Sequence, residues 1–158
     1  MYQRIVLAYD GSREGRRALR EGALLGRLCG AELFLLSVTP AFPAANALGE
    51  PAATMDAYHK IFEEGLANAQ AWGVTLKGHL AQGNPSREIS AYAKQIGADL
   101  VVVGHRRASF LERWWAASDK TYMMDLLDCS VLVARNEISD ADFNERMAAT
   151  ASAIKEEV

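Results

Sequence analysis

Cysteine is scarce: Cys29 and Cys129 are the only two in 158 residues. They form no CxxC pair and have no histidine near them in sequence. That pattern predicts two buried, reduced thiols in a cytosolic setting rather than redox or metal chemistry. No apolar run approaches the roughly 20 residues of a membrane span. Met1-Tyr2-Gln3-Arg4 leads straight into a strand, so no signal peptide is expected. Basic residues never gather into a run, and 17 Lys and Arg against 20 Asp and Glu leave a net charge of −3. A weakly acidic chain of this kind argues against nucleic acid or an anionic membrane as the main partner. Chemistry-bearing patterns are missing too. There is no nucleophile–base pair, no carboxylate pair and no metal-ligand spacing. GxGxxG is absent after the first strand and GxxxxGK[ST] is absent throughout, which argues against a dinucleotide-binding dehydrogenase and a P-loop enzyme. The acidic pair, Asp and Lys of a phospho-receiver are also missing: the matching strand ends read Asp10-Gly11, Gln82-Gly83 and Arg135-Asn136.

What is present is an ordinary globular composition, 50% apolar and 23% charged, in a chain long enough for one domain with a real core. Short apolar runs alternate with helical periods. Arg4–Tyr9, Glu32–Val38, Leu100–Val103 and Ser130–Ala134 read as strands, Arg4–Tyr9 buried and Leu100–Val103 of the kind buried on both faces. Val74–Ala81 alternates and reads as an edge strand. The first helix starts behind Ser12 as N-cap and runs to about Cys29, with Gly15, Ala18, Leu19, Gly22, Leu25, Gly26 and Cys29 on one face. A second helix spans Thr54–Trp72. A third opens with Asn84-Pro85, a cap followed by proline at the first helical position, and ends near Ile96. Ser118 is a natural cap for a fourth helix reaching about Leu127. Thr39–Ala53 has no period and is rich in Pro and Ala; it reads either as a lid or as a plain connection.

The order βαβαβαβαβ predicts a doubly wound α/β protein: a five-stranded parallel sheet of Rossmann-like, nucleotide-binding type. With the chain reversing after the third strand, the order is 3-2-1-4-5. Ligands of such sheets bind outside the carboxyl ends of the strands where the direction reverses, here between strands one and four. Two loops meet there, Asp10-Gly11-Ser12 and Gly104–Ser118. Asp10 suits a ribose hydroxyl, with stabilisation of the helix N-terminus as its alternative role. Ser118 and the amides behind it suit a phosphate, with plain capping as the alternative. His105, beside the cleft, reads as a structural hydrogen-bonding group and not as a catalyst.

Five segments together resemble the universal stress protein family: Ile5-Val6-Leu7-Ala8-Tyr9-Asp10-Gly11-Ser12, Gly30-Ala31-Glu32-Leu33, Gly83-Asn84-Pro85, Ala98 through His105, and Cys129-Ser130-Val131-Leu132-Val133. The resemblance covers residues 4–135. It implies a cytoplasmic, non-catalytic stress-response protein, dimerisation through the fifth strand, and a cleft that in many members holds ATP or another adenine nucleotide such as AMP. The nucleotide-binding members carry G-x2-G-x9-G-[ST] after strand four. Here that frame reads Gly104, Arg107, Ala117, Ser118. Asp10, Val38 (whose backbone would face the adenine), Gly104 and Ser118 carry over. Ala117 adds a methyl and Arg107 a long side chain where the frame has glycine, so the resemblance implies a degenerate cleft. It leaves two functions open: a regulator acting through a protein partner, or an adenine-nucleotide switch.

The resemblance stops at residue 135, which sets a 1–135 domain apart from a 136–158 extension. In the extension, Ser139 or Asp140 can cap a helix whose Phe143, Met147, Ala151 and Ile154 form one narrow apolar stripe. Such a helix is too short to be stable alone, so the stripe is expected to bury against the domain, across a dimer or against a partner, the alternative being a frayed tail.

Overall fold

Five apolar runs become five strands: β1 (Arg4–Ala8), β2 (Glu32–Thr39), β3 (Leu76–Gln82), β4 (Leu100–Gly104) and β5 (Ser130–Ala134). The computed structural model describes residues 1–39, 55–105 and 123–156. The strands join one parallel sheet in the order β3-β2-β1-β4-β5. β1 is central. Ile5 pairs with Leu33 of β2 on one side and with Leu100 of β4 on the other, so the direction of winding reverses between β1 and β4. β3 is an edge strand, as its alternation predicts, and most of its residues are exposed or half-buried. It starts two residues later than the apolar pattern suggests: Val74 is taken up in the turn after the preceding helix, where its N–H donates to Ala69 O at 2.9 Å.

The helices are α1 (Arg13–Cys29), α2 (Met55–Ala71), α3 (Pro85–Ile96), the single turn α4 (Met123–Leu126) and α5 (Asp140–Glu156). The local signals act where they stand. Ser12 caps α1 by accepting from Gly15 N, and Asn84 caps α3 by accepting from Arg87 N. Gly30 and Gly97 close those helices in the left-handed region, φ 61° and 62°, which costs glycine nothing. The expected start of the fourth helix at Ser118 lies outside the described residues.

Because strand side chains alternate, the sheet fills two cores. Val6, Phe34, Leu36, Val101 and Val103 pack with Ile89 and Ala93 of α3. Ile5, Leu7, Leu33, Leu35, Leu100 and Val102 pack on the opposite face with Ala18 and Leu19 of α1, and Ile61, Phe62 and Leu66 of α2 close that layer. α1 lies so close to the sheet that a methyl at Gly22 or Gly26 would run into Leu7 or Leu33. The small-residue face is therefore a packing surface.

Leu25 packs on the sheet beside Ala18 and Leu19, as its spacing predicts, and it and Cys29 are half-buried; Ala23 and Leu24, outside that expected face, are buried. The reason is a second layer: Ala23 and Leu24 form a separate cluster with Phe143 and Met147 of α5. Cys129 is likewise half-buried rather than buried, and both thiols are free. The extension is thus a helix laid against α1. Ser139 caps it by accepting from Asp142 N at 3.1 Å. Arg20 fixes its start, donating to Ile138 O at 2.9 Å and pairing with Asp140.

Candidate functional site

The chain leaves β1 at Tyr9 and Asp10. Tyr9 is held in line by its N–H to Leu36 O at 2.9 Å and by the buried Ser37 hydroxyl, which donates to Tyr9 O at 2.8 Å. Asp10 follows, half-buried. Its Oδ1 accepts from the backbone N–H of Ser12 at 2.9 Å and from the Ser12 hydroxyl. Ser12 Oγ in turn accepts from Gly15 N at 3.0 Å. The carboxylate therefore sits over the first turn of α1, where free amides and the positive end of the helix dipole favour an anion. The helix-stabilising role foreseen as the alternative for Asp10 is present in the structure.

Gly104 ends β4 against the same turn. A Cβ built on it would lie 2.5 Å from Glu14 O and 3.0 Å from Gly15 N. Backbone cannot step aside as a flexible side chain can, so Gly104 is glycine because β4 abuts α1. Asp10 and Gly104 thus meet at Gly15, and the reversal point between β1 and β4 is capped by the start of α1. Val38 lies two residues beyond the Leu36–Ala8 pair of β2 and β1. It is opposite Ala81 of β3, half-buried, and packs on the α3 side of the sheet. His105 donates its N–H to Ala134 O at 3.1 Å and so prolongs the pairing of β4 with β5. Arg107, Ala117 and Ser118 lie outside the described residues, as do residues 40–53 of the expected lid.

Sequence reasoning missed a polar network beneath this point. The Tyr9 hydroxyl donates to Glu64 Oε1 at 2.9 Å, and Arg16 Nε donates to the same oxygen at 3.0 Å. Burial, helped by the Glu64 carboxylate, pushes the Tyr9 phenol up to about 12. Burial alone would raise the Glu64 carboxyl, but hydrogen bonds from Tyr9 and Arg16 outweigh it and hold the group below its ordinary value. The hydrogen bond to Glu64 raises the Arg16 guanidinium above its usual range. One carboxylate thus joins β1, α1 and α2. A tyrosine closing an apolar strand was the available signal, but nothing in the sequence pairs it with Glu64.

Among the described residues, no group of three or more His, Cys, Asp or Glu converges in a way that would hold a metal. No described helix is long and apolar enough to cross a membrane.

This geometry has well-populated company. The model of the universal stress protein family matches residues 1–135. Universal stress protein Sll1654 of Synechocystis is 30% identical over 138 residues, covering 84% of this chain and 85% of its own. The fold recurs in a universal stress protein crystallised in complex with cAMP, with a TM-score of 0.64, 22% identity, and 86% of this chain and 99% of that one covered. It recurs also in the universal stress protein from Archaeoglobus fulgidus in complex with dAMP, with a TM-score of 0.62, 18% identity, and 85% and 98% covered.

Proposed function

The chain belongs to the universal stress protein family, and from that premise we propose that it is a non-catalytic stress-response regulator, acting as a homodimer on a protein partner in the cytoplasm. Its cleft at the reversal point takes an adenine nucleotide, but with a weakened hold on the phosphates. The observation that supports the reading is the meeting of Asp10, Gly15 and Gly104 at the carboxyl end of the two central strands. The donor set fits an adenosine. A half-buried carboxylate suits ribose hydroxyls, the backbone at Val38 suits the base, and the α1 amides add positive potential. The similar structures in complex with cAMP and dAMP make an adenine nucleotide the natural candidate. The weak point is the segment after β4. Arg107 and Ala117 stand where the nucleotide-binding frame has glycine, and a side chain there keeps the backbone from a phosphate. Ser118 is kept.

A second reading, a nucleotide-driven switch, is favoured by the seat of Gly104 on the backbone of Glu14. Any shift of the segment after β4 would press directly on α1. Calorimetry with AMP and ATP tests both readings. The unchanged protein should bind ATP weakly, and the double variant Arg107→Gly, Ala117→Gly should bind it about tenfold more tightly, a difference of ~1.4 kcal/mol. Tight ATP binding by the unchanged protein, or no improvement in the double variant, defeats the degenerate-cleft reading. Identical α1 amide exchange with and without bound nucleotide defeats the switch.

A further inference from the structure

The turn that carries Asp10 belongs to no regular element. β1 ends at Ala8 and α1 begins at Arg13, so residues 9–12 are held by what packs around them. Inside the turn, Asp10 Oδ1 accepts from Ser12 N at 2.9 Å. From outside, α2 reaches the turn through Ile61 and Glu64, which stand at i and i+3 on one stripe of that helix. Ile61 covers its middle: a Cβ built on Gly11 would lie 3.0 Å from Ile61 Cγ2, and Gly11 is in the left-handed region at φ 74°. Glu64 takes both flanks. On the β1 side the Tyr9 hydroxyl donates to Glu64 Oε1 at 2.9 Å. On the α1 side Arg16 gives the same oxygen two donors, Nε at 3.0 Å and Nη2 at 2.9 Å. One carboxylate oxygen thus spans the turn from the end of β1 to the first turn of α1.

We propose that Glu64 is a positioning residue for the cleft: through Tyr9 and Arg16 it fixes where the Asp10 carboxylate stands, and so how strongly the cleft prefers a sugar with both hydroxyls to one without them. The inference rests on the adenosine reading of the cleft and names the group that makes that reading selective. A carboxylate discriminates between sugars only if it is in place before they arrive; otherwise the cost of ordering it offsets what the hydroxyls contribute. Glu64 suits this task. Burial would raise its carboxyl, but hydrogen bonds from Tyr9 and Arg16 hold it below the ordinary value, so it is ionised at neutral pH and its bonds are charge-assisted. Its pair with Arg16 is half-exposed and alone would contribute little. Tyr9 anchors it, because that ring is buried and its hydroxyl needs an acceptor. The turn is therefore tied to the core by a group that touches no ligand.

Calorimetry on the full chain compares AMP with 2′,3′-dideoxy-AMP. Hydroxyls donating to a carboxylate give the unchanged protein a preference for AMP of about tenfold or more. Glu64→Leu keeps a helix-forming residue and removes the acceptor, and the preference should fall to about twofold. Glu64→Gln keeps an acceptor oxygen and should hold the preference within about twofold of the unchanged protein. Arg16→Gln, at a half-exposed position, loosens only the α1 flank and should give an intermediate value. Without nucleotide, the Ser12 and Gly15 amide resonances should move in Glu64→Leu and stay in place in Glu64→Gln. A merely structural role would weaken both nucleotides alike and leave their ratio unchanged. A preference that survives Glu64→Leu, or that Glu64→Gln fails to keep, overturns the positioning role and leaves the adenosine reading standing. An unchanged protein that binds AMP no better than the dideoxy form overturns both. If Glu64→Leu fails to fold, Arg16→Gln decides, and an undiminished preference there overturns the proposal.

Discussion

At the scale of single residues, the sharpest chemistry is in Tyr9. Its ring is buried, 2% exposed, and its hydroxyl donates to Glu64. Tyr9→Phe keeps the ring and removes the donor, so Glu64 retains only Arg16 and Asn68. A hydrogen bond to a charged acceptor is worth roughly 1.5–3 kcal/mol, and part exposure of Glu64 places this one at the lower end. Urea unfolding should therefore show a loss of about 1.5 kcal/mol. The pH dependence has a definite sign. The folded phenol titrates near 12, above its ordinary 10. The folded state therefore holds a proton that the unfolded chain has released, and stability falls as pH rises from about 10 to about 12. Alkaline unfolding of Tyr9→Phe should lack that component; an unchanged alkaline limb would refute the assignment. Gly104 gives a second prediction. Gly104→Ala places a methyl against the carbonyl of Glu14, and strain of that kind costs typically 1–3 kcal/mol. Denaturant unfolding should show that loss even with no nucleotide present, because packing on α1 requires the glycine whatever the cleft holds. The sequence offered Gly104 as a candidate site residue, but its packing role was not visible there, because the neighbour it spares, Glu14, lies far earlier in the chain.

Elements were legible wherever their signal was local. Ser12, Asn84 and Ser139 cap the helices they precede because cap and amide are three residues apart, and that spacing is visible in sequence. The face of α1 was legible only in part. Its inner stripe was read as one surface, yet Leu24 and Ala23 turn to α5, which arrives more than a hundred residues later. The apolar stripe of α5 was visible at Phe143 and Met147, but the sequence left open what would cover it. The structure answers with Trp72, whose ring centroid is 4.6 Å from that of Phe143, and with Arg20 at 5.7 Å above the same ring. Phe143 is 1% exposed, so Phe143→Ala should cost about 3 kcal/mol, the usual scale for deleting a core aromatic. Glu137 and Arg13 are largely exposed, and the Arg17 side chain that joins them is partly covered. Breaking their ion pairs with Glu137→Ala should change stability by less than about 1 kcal/mol. Deleting residues 137–158 should lower the melting temperature, and amide exchange through α5 should be slow in the full chain. Equal melting with and without residues 137–158 would mean that the contact with α1 contributes nothing.

For the molecule as a whole, the sequence of runs and periods was enough to set the sheet order, since parallel strands with right-handed crossovers leave few alternatives. Assembly is a different matter, because it depends on what an edge offers outward. β5 ends the sheet beside β4, and Val131, Leu132 and Val133 are only half-buried. Its backbone shows which groups face out. Ser130 N donates to Asp99 O at 3.2 Å and Ala134 O accepts from His105 N at 3.1 Å, so the even-numbered residues turn their polar groups toward β4. By the two-residue alternation of a strand, Val131 and Val133 turn theirs outward. An apolar edge of this kind, without proline or charge, invites a second strand. In the proposed homodimer, two copies of β5 pair antiparallel across a two-fold axis. Proline lacks the N–H and is tolerated on an edge when that N–H faces away from the sheet. Val131→Pro or Val133→Pro should therefore leave the monomer folded, with its circular dichroism intact, while light scattering falls from a dimer to a monomer mass. Leu132→Pro should instead damage the fold itself, because its N–H faces β4. A monomeric unchanged protein, or a proline variant at 131 and 133 that stays dimeric, would place any dimer contact elsewhere on the molecule.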